Sequence, residues 1–194
     1  MTGIKSILSG NMVLLVKLNS NDYTPQSGIT PALAAGYARR LADLGIDGLE
    51  VSCGTSSLSP WNMCRGDVPV QELLLRFPEE KRARRETALK KMEGKFDLFE
   101  GYNIEASKVI RPVIGNVPLI SVGGRRSVGA MEEAVKSGDT DFISMCRPFI
   151  REPSLVKKIK AGKTGRASCI SCNRCLAALA NNMPVRCYIN GFKD

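Results

Sequence analysis

The sequence contains no histidine in its 194 residues. Histidine is the commonest general acid–base residue and metal ligand, so any chemistry must use cysteine, lysine, tyrosine or carboxylate side chains, or a cofactor. Long hydrophobic runs are also lacking. None approaches the roughly 20 residues that cross a bilayer, and the short run Met12–Leu18 is typical of a buried strand rather than a signal peptide. We therefore expect no membrane partner.

Aromatic residues are scarce, at 6%, although the net charge is +9. A nucleic-acid-binding protein would combine such charge with interleaved aromatic residues for base stacking. Here the basic residues alternate with acidic ones, as in residues 77–97. We therefore expect no nucleic-acid partner and interpret this segment as a solvated helix, with part of the charge available to an anionic cofactor or substrate.

Cysteine is the unusual abundance, with seven residues. The odd count does not suggest a secreted disulfide framework, so we expect a reducing, cytoplasmic compartment. Soft thiolate ligands at C-x2-C-x2-C spacing, with a fourth after eleven more residues, suit an iron–sulfur cluster or zinc, and four metal-free thiols remain the alternative. The candidate ligands are Cys169, Cys172, Cys175 and Cys187, whereas Cys53, Cys64 and Cys146 are expected to be ordinary buried or loop cysteines.

The pattern strand then helix occurs four times. Predicted strands cover residues 12–18, 47–52, 118–122 and 141–145, and each is followed by a helical segment. In the first helix, Thr30 is the expected N-cap, Pro31 occupies the first turn, and Gly45 ends it; Leu33, Tyr37, Leu41 and Leu44 share one face. Alternation predicts a parallel sheet, as an open doubly wound sheet or about half of a (β/α)8 barrel.

The region between the second and third strands is less regular. Residues 53–78 are predicted to form a long loop containing Trp61, which either covers a substrate mouth or packs the loop down. A charged helix follows, and Asn103 is the expected cap of another.

Two consecutive glycines, Gly123 and Gly124, follow the third strand. Glycine at the carboxyl end of a parallel strand lets the backbone approach a phosphate, and a tight turn is the alternative explanation. Arg147 follows the fourth strand on the same edge, where a guanidinium could bind that phosphate; a structural ion pair is the alternative. The two motifs together favour a phosphate site.

The segment "VPLISVGGRRSVGAMEEAVKSGDTDFISMCRPFIREPSLVKKIKAG" resembles the C-terminal part of the old yellow enzyme-like NADH:flavin oxidoreductases. "RGDVPVQELL", "KKMEGKFDLFEGYN" and "CISCNRC" are also similar to that family. The resemblance implies a TIM barrel with FMN at its carboxyl mouth. It also implies that NAD(P)H reduces the flavin, which then delivers a hydride to an activated alkene, a small-molecule substrate.

The resemblance assigns roles to individual residues. Gly123, Gly124, the backbone of Cys146, and Arg147 match the positions that hold the FMN phosphate. Lys17 matches a cationic residue beside the flavin ring; a snorkelling lysine at the strand end is the alternative. The tail is similar to that of cluster-bearing dienoyl-CoA reductases, but it has one residue fewer between its second and third cysteines.

The chain matches only barrel strands 5 to 8 of that family. The family's earlier strands supply the ring pocket, the substrate-binding histidine and asparagine pair and the proton donor, so no catalytic residue is assigned here. We predict half of a barrel over residues 1–162 and a cysteine-rich tail over residues 163–194. Such a chain is a fragment, half of a split enzyme, or a subunit that pairs with itself or a complementary half-barrel. A non-catalytic phosphate- or metal-binding half-barrel is the alternative.

Overall fold

The computed structural model describes residues 2–25 and 27–192. The strands are β1 (Leu15–Asn19), β2 (Gly48–Ser52), β3 (Leu119–Val122) and β4 (Phe142–Ser144). The helices are α1 (Thr2–Lys5), α2 (Pro31–Asp43), α3 (Pro60–Met63), α4 (Val70–Leu74), α5 (Glu79–Lys90), α6 (Ile104–Ile110), α7 (Val128–Lys136), α8 (Arg147–Arg151), α9 (Leu155–Lys160) and α10 (Arg174–Ala180), and a 3₁₀ turn covers Arg111–Val113.

The four strands form one parallel sheet in the order β1-β2-β3-β4. The predicted parallel α/β architecture is therefore confirmed. Strand β1 begins at Leu15, three residues later than predicted. Thr30 accepts a hydrogen bond from the N–H of Leu33, and Gly45, with φ +75°, follows the last turn of α2, so both predicted ends of that helix are confirmed.

One face of the sheet carries the apolar core. Helices α2 and α6 cover it, and the buried residues include Ala34, Ala38, Leu49, Ile110 and Leu119. The alanines of α2 let the helix approach the strands closely, so this is the face that packs. The larger residues Leu33 and Tyr37 of the same helix, and Leu44 at its C-cap, are instead about half exposed.

The opposite face of the sheet has a different composition. Lys17, Glu50, Ile120 and Phe142 are register partners in one row across the four strands. On the two edge strands, Leu15 is 56% exposed and Phe142 is 58% exposed. Parallel sheets are usually covered on both faces, whereas Leu15 and Phe142 on this face remain more than half exposed.

The chain contains two compact units. Unit 1 comprises residues 1–63, 100–125 and 129–145, and unit 2 comprises residues 64–99, 126–128 and 146–194. The cysteine-rich tail thus belongs to the same unit as the segment 64–99, which differs from a boundary placed at residue 163. The predicted division into a half-barrel and a tail remains a prediction about domains.

Several local predictions were wrong. The predicted loop 53–78 contains α3 and α4, and Trp61 is buried on α3. The segments that form α8 and α10 were not recognised as helical because each has fewer than eight residues, too short for a periodic pattern. Asn103 stands at the N-cap of α6 but makes no capping bond, because its amide donates to the carbonyl of Val122 instead.

Candidate functional site

The glycine pair after β3 adopts the conformation that only glycine adopts readily. Gly123 has φ +149° and Gly124 has φ +69°. The Gly101 N–H donates to the carbonyl of Gly123 at 2.7 Å, and a Cβ on Gly123 would lie 3.1 Å from the backbone nitrogen of Asn103. The close approach of residues 101–103 therefore accounts for glycine at position 123.

Unpaired donors remain at this turn. Gly123 and Gly124 are buried, and their N–H groups donate no hydrogen bond to any described residue. The Oδ1 atom of Asn103 is likewise buried without a partner in the described part of the chain. A buried backbone N–H without an acceptor costs roughly 1–3 kcal/mol, so an anion accepting from the two glycine N–H groups would remove that cost; the Asn103 oxygen, itself an acceptor, would not bind it.

The second motif follows the neighbouring strand. Val122 of β3 is the register partner of Ser144 of β4, so the chain leaves both strands at the same carboxyl edge. Cys146 comes two residues after Ser144, and its N–H also donates to no described residue. Parallel α/β sheets bind ligands at this edge.

Arg147 is fixed by hydrogen bonds within unit 2. Its Nη1 atom donates to the carbonyl of Arg65 at 2.8 Å and to Oδ1 of Asn173 at 2.5 Å. Its Nε and Nη2 atoms donate to no described residue. The Nη1 atom is therefore bound within the protein, and the Nε and Nη2 atoms could donate to an oxyanion.

Lys17 has a partner on the next strand. Its Nζ lies 2.9 Å from Oε1 of Glu50, and the lysine side chain is more than half exposed. Surface pairs of this kind contribute little to stability. The expected role of Lys17 beside a flavin ring stays a prediction.

The four tail cysteines line one small cavity in unit 2. Arg147 and Arg151 border it, and Arg151 lies 3.8 Å from the Cys187 sulfur. Burial raises the pKa of the Cys175 thiol to about 11; the neighbouring Cys169 and Cys172 thiols add to the increase, and Arg147 opposes it. Within the described residues, none of the seven cysteines forms a disulfide bond.

The fit of this cavity to a metal centre is mixed. No group of three or more cysteine or carboxylate side chains in residues 2–25 and 27–192 is close enough to hold a single metal ion. The cavity has a volume of about 20 Å³, enough for one water molecule. The sulfur donors have the chemistry for an iron–sulfur cluster, but the cavity would have to widen to admit one.

A larger cavity lies elsewhere in unit 1. Its volume is about 830 Å³, and it is lined by Arg39, Asp43, Asp47 and Pro118, among others. Because Asp47 and Pro118 immediately precede β2 and β3, it lies at the amino edge of the sheet. It therefore does not coincide with the glycine pair.

Two features of unit 2 were missed in the sequence. Asn173 is buried with φ +56°, and Gly66 has φ +135° and lies so close to the Ser171 carbonyl oxygen that a Cβ would overlap it. The available signal was weak: asparagine and glycine are the residues that tolerate positive φ, but nothing in the pattern shows which ones use it.

Comparison with known proteins identifies the family. The model of the NADH:flavin oxidoreductase / NADH oxidase family matches residues 68–165, which is half of the chain. The chain belongs to this family. The match includes both the glycine pair and Arg147, so the motifs that predicted a phosphate site are family segments, and the resemblance inferred from the sequence is confirmed.

Individual relatives match different lengths of this chain. It is 26% identical over 187 residues to a 4,4'-dithiodibutanoate disulfide reductase of Rhodococcus erythropolis, which covers 96% of the chain and 45% of the relative. It is 44% identical over 64 residues to an NADH-dependent flavin oxidoreductase of Talaromyces variabilis, covering 33% of the chain and 16% of the relative. The chain thus spans less than half the length of these relatives.

A solved structure shows the same fold. The 6-hydroxypseudooxynicotine amine oxidase of Pseudomonas geniculata matches with a TM-score of 0.70 at 24% identity, over 96% of this chain and 23% of the other. This likeness supports the parallel α/β fold.

Among the described residues, no helix has the length and apolar character needed to cross a membrane.

Proposed function

We propose that this chain carries the phosphate-binding part of an FMN-dependent NAD(P)H oxidoreductase that reduces activated alkenes. The observation that carries the proposal is that the buried N–H groups of Gly123 and Gly124, at the carboxyl edge of the sheet, donate to no residue in the described part of the chain. Backbone amides in a positive-φ turn are a common way to bind phosphate. Arg147, with a guanidinium edge available, would supply the charge.

A bound flavin would supply the redox chemistry, namely hydride transfer between NAD(P)H and the substrate. This chain's own contribution would be to anchor the phosphate through backbone donors and Arg147. Lys17, on the uncovered face of the sheet, would place a positive charge near the flavin ring. The N–H of Cys146 would be a further phosphate donor.

We also propose that the sheet is the second half of a TIM barrel, strands 5 to 8. The uncovered row containing Lys17 and Phe142, and the exposed edge strands β1 and β4, support this because a closed barrel covers both. The exposed Leu33 and Tyr37 of α2, with Leu44 at its C-cap, offer a further apolar surface for neighbouring helices. The complementary half would be a preceding segment, another chain or a second copy.

For the tail we propose a [4Fe–4S] cluster held by Cys169, Cys172, Cys175 and Cys187, in a reducing cytoplasmic compartment. The shared cavity and the two bordering arginines support it, because cationic groups offset the negative charge of a thiolate-bound cluster. Zinc is less well supported, since no described group of ligands converges on a point. The non-catalytic alternative is not favoured, because the relatives are reductases and oxidoreductases.

Flavin binding by the purified chain tests the proposal. The protein is prepared anaerobically, its absorption spectrum and iron and zinc contents are measured, and FMN is titrated by equilibrium dialysis. We expect flavin absorption near ~450 nm and FMN binding that Arg147→Ala weakens by roughly 1–3 kcal/mol, the range for a hydrogen bond to a charged group. Arg84→Ala, an exposed arginine of α5 in the same unit, is the matched control and should bind as the parent does.

Two results would contradict the phosphate assignment. One is a chain that binds no FMN. The other is an Arg147→Ala variant with the affinity of the parent. Iron without flavin would support the tail proposal alone.

A further inference from the structure

Asn173 lies at the centre of the polar contacts of unit 2. It stands between Cys172 and Arg174 in the cysteine-rich tail and is only 1% exposed. Its φ of +56° is a left-handed conformation that asparagine tolerates better than most residues. A buried polar side chain in an unfavourable backbone conformation points to a specific role.

All hydrogen-bonding groups of the Asn173 side chain are used. Its Nδ2 donates to the carbonyls of Cys64 at 2.8 Å and Asp67 at 2.9 Å. Its Oδ1 accepts from Nη1 of Arg147 at 2.5 Å. Because the two carbonyls require the amide nitrogen, the oxygen can only face Arg147, and the orientation of the amide is determined.

These contacts also determine the orientation of Arg147. One N–H of Nη1 is taken by Asn173 and the other by the carbonyl of Arg65. The Nε and Nη2 atoms, which donate to no described residue, form one edge of the guanidinium. Two parallel N–H groups on one edge are the arrangement that binds a phosphate in bidentate fashion.

We propose that Asn173 is a positioning residue for Arg147. By holding Nη1, it presents the Nε–Nη2 edge of the guanidinium to the phosphate of the flavin. The inference rests on the proposed function, because it takes the FMN phosphate as the ligand of Arg147. It also makes the conformation of the cysteine-rich tail a determinant of phosphate affinity.

The test compares two ligands that differ only in the phosphate. The dissociation constants of FMN and riboflavin are measured for the full chain and for Asn173→Gly, Asn173→Asp, Arg147→Ala and the Asn173→Gly/Arg147→Ala double variant. Glycine removes the side chain and still tolerates positive φ. Aspartate keeps an oxygen that can accept from Nη1.

We expect Asn173→Gly to weaken FMN binding roughly 10-fold and to leave riboflavin binding within about twofold of the parent. Asn173→Asp should keep most of the preference for FMN over riboflavin. The double variant should bind FMN no more weakly than Arg147→Ala alone, because Asn173 acts through Arg147. Riboflavin binding also reports that each variant is folded.

The outcomes separate the two proposals. If Arg147→Ala weakens FMN binding but Asn173→Gly does not, the positioning role is wrong and the phosphate site stands. If Asn173→Gly weakens FMN and riboflavin equally, or Asn173→Asp loses as much preference as Asn173→Gly, Asn173 is only structural. If the parent chain binds FMN no better than riboflavin, the proposed phosphate site fails and the positioning role fails with it.

Discussion

The two units of the chain differ in charge and in what holds them together. Unit 2 contains 20 of the 28 lysines and arginines but 9 of the 19 acidic residues, a net charge of +11. Unit 1 contains the remaining 8 basic and 10 acidic residues, a net charge of −2. The whole positive charge of the protein is thus carried by the unit that contains Arg147 and the tail cysteines, which suits an anionic ligand there.

The two units also differ in the contacts that stabilise them. Unit 1 contains all four strands of the described residues and an apolar core built around Leu49, Ile110 and Leu119. Unit 2 also buries apolar side chains, such as Leu73, Leu74 and Leu155, and in addition buried Asn173 and Glu152 form hydrogen bonds with backbone groups far away in its sequence. Apolar packing tolerates small rearrangements, whereas a buried polar network is costly when one member is lost. We therefore expect unit 2 to be the more sensitive to small steric changes.

Gly66→Ala should have the largest effect. A Cβ there would overlap the Ser171 carbonyl oxygen, and φ is +135°, so we expect a loss of more than about 4 kcal/mol in the free energy of unfolding. Gly94→Ala is the control, because Gly94 also has positive φ but open space around its Cβ position; it should lose about 1 kcal/mol. Urea unfolding and the reactivity of the tail thiols measure the effect. Equal losses in the two variants would show that Ser171 moves aside easily.

Leu49→Ala should have the next largest effect, in unit 1. Leu49 is fully buried in β2, so we expect a loss of about 3 kcal/mol from lost burial and a residual cavity. Leu33→Ala, at a half-exposed position of α2, should lose less than about 1 kcal/mol. Trp61 is the only tryptophan and lies buried in unit 1, so its fluorescence during urea unfolding reports the change there. A large loss in Leu33→Ala would mean that its side chain is covered in solution.

The same contrast explains what could be predicted from the sequence. The strands and α2 of unit 1 follow from apolar runs, an N-cap threonine and a terminal glycine, all of which are local signals. The contacts of Asn173 join it to Cys64 and Asp67, more than 100 residues earlier in the chain. No local pattern encodes such a bond, because it depends on where the folded chain returns.

The candidate site also has a part that the sequence predicts and a part that it does not. The glycine pair and Arg147 were identified from their positions after neighbouring strands, and the register of Val122 with Ser144 supports that argument. The division of the Arg147 guanidinium into an anchored and an available side could not be predicted, because it depends on the distant Arg65 carbonyl and Asn173.

Glu152 should make the free energy of unfolding moderately dependent on pH. Its buried carboxylate accepts from Lys158, from the N–H of Ser168 and from Lys163, and these bonds lower its pKa below the ordinary 4.5. A lowered pKa contributes stability that is fully present above about pH 4.5 and is lost as the pH falls through the folded-state value. Glu152→Gln should therefore lose roughly 1–2 kcal/mol at pH 7.

Urea unfolding of the parent and Glu152→Gln between pH 7 and pH 3 checks this. The difference between them should shrink below pH 4.5, because the unfolded parent then binds a proton at Glu152 while the folded parent keeps the carboxylate ionised. Glu105→Gln, in an exposed pair on α6, is the control and should show little difference at either pH. If the difference in free energy of unfolding between the parent and Glu152→Gln stays constant down to pH 3, the stabilisation does not come from the charged carboxylate.

Two exposed ion pairs test the charge difference between the units, with the smallest expected effect. Glu105–Lys108 lies on α6 in unit 1, and Glu86–Lys90 lies on α5 in unit 2. Lys108→Ala should slightly destabilise the protein, because it removes a pair from a unit that is already negative. Lys90→Ala removes a similar pair but also relieves repulsion in a unit of charge +11, so it should be neutral or slightly stabilising at low salt. In 1 M salt, charges more than about 3 Å apart are screened, so the melting temperatures of the two variants should converge. A difference that persists would have to come from helix propensity rather than from the charge of the surrounding unit.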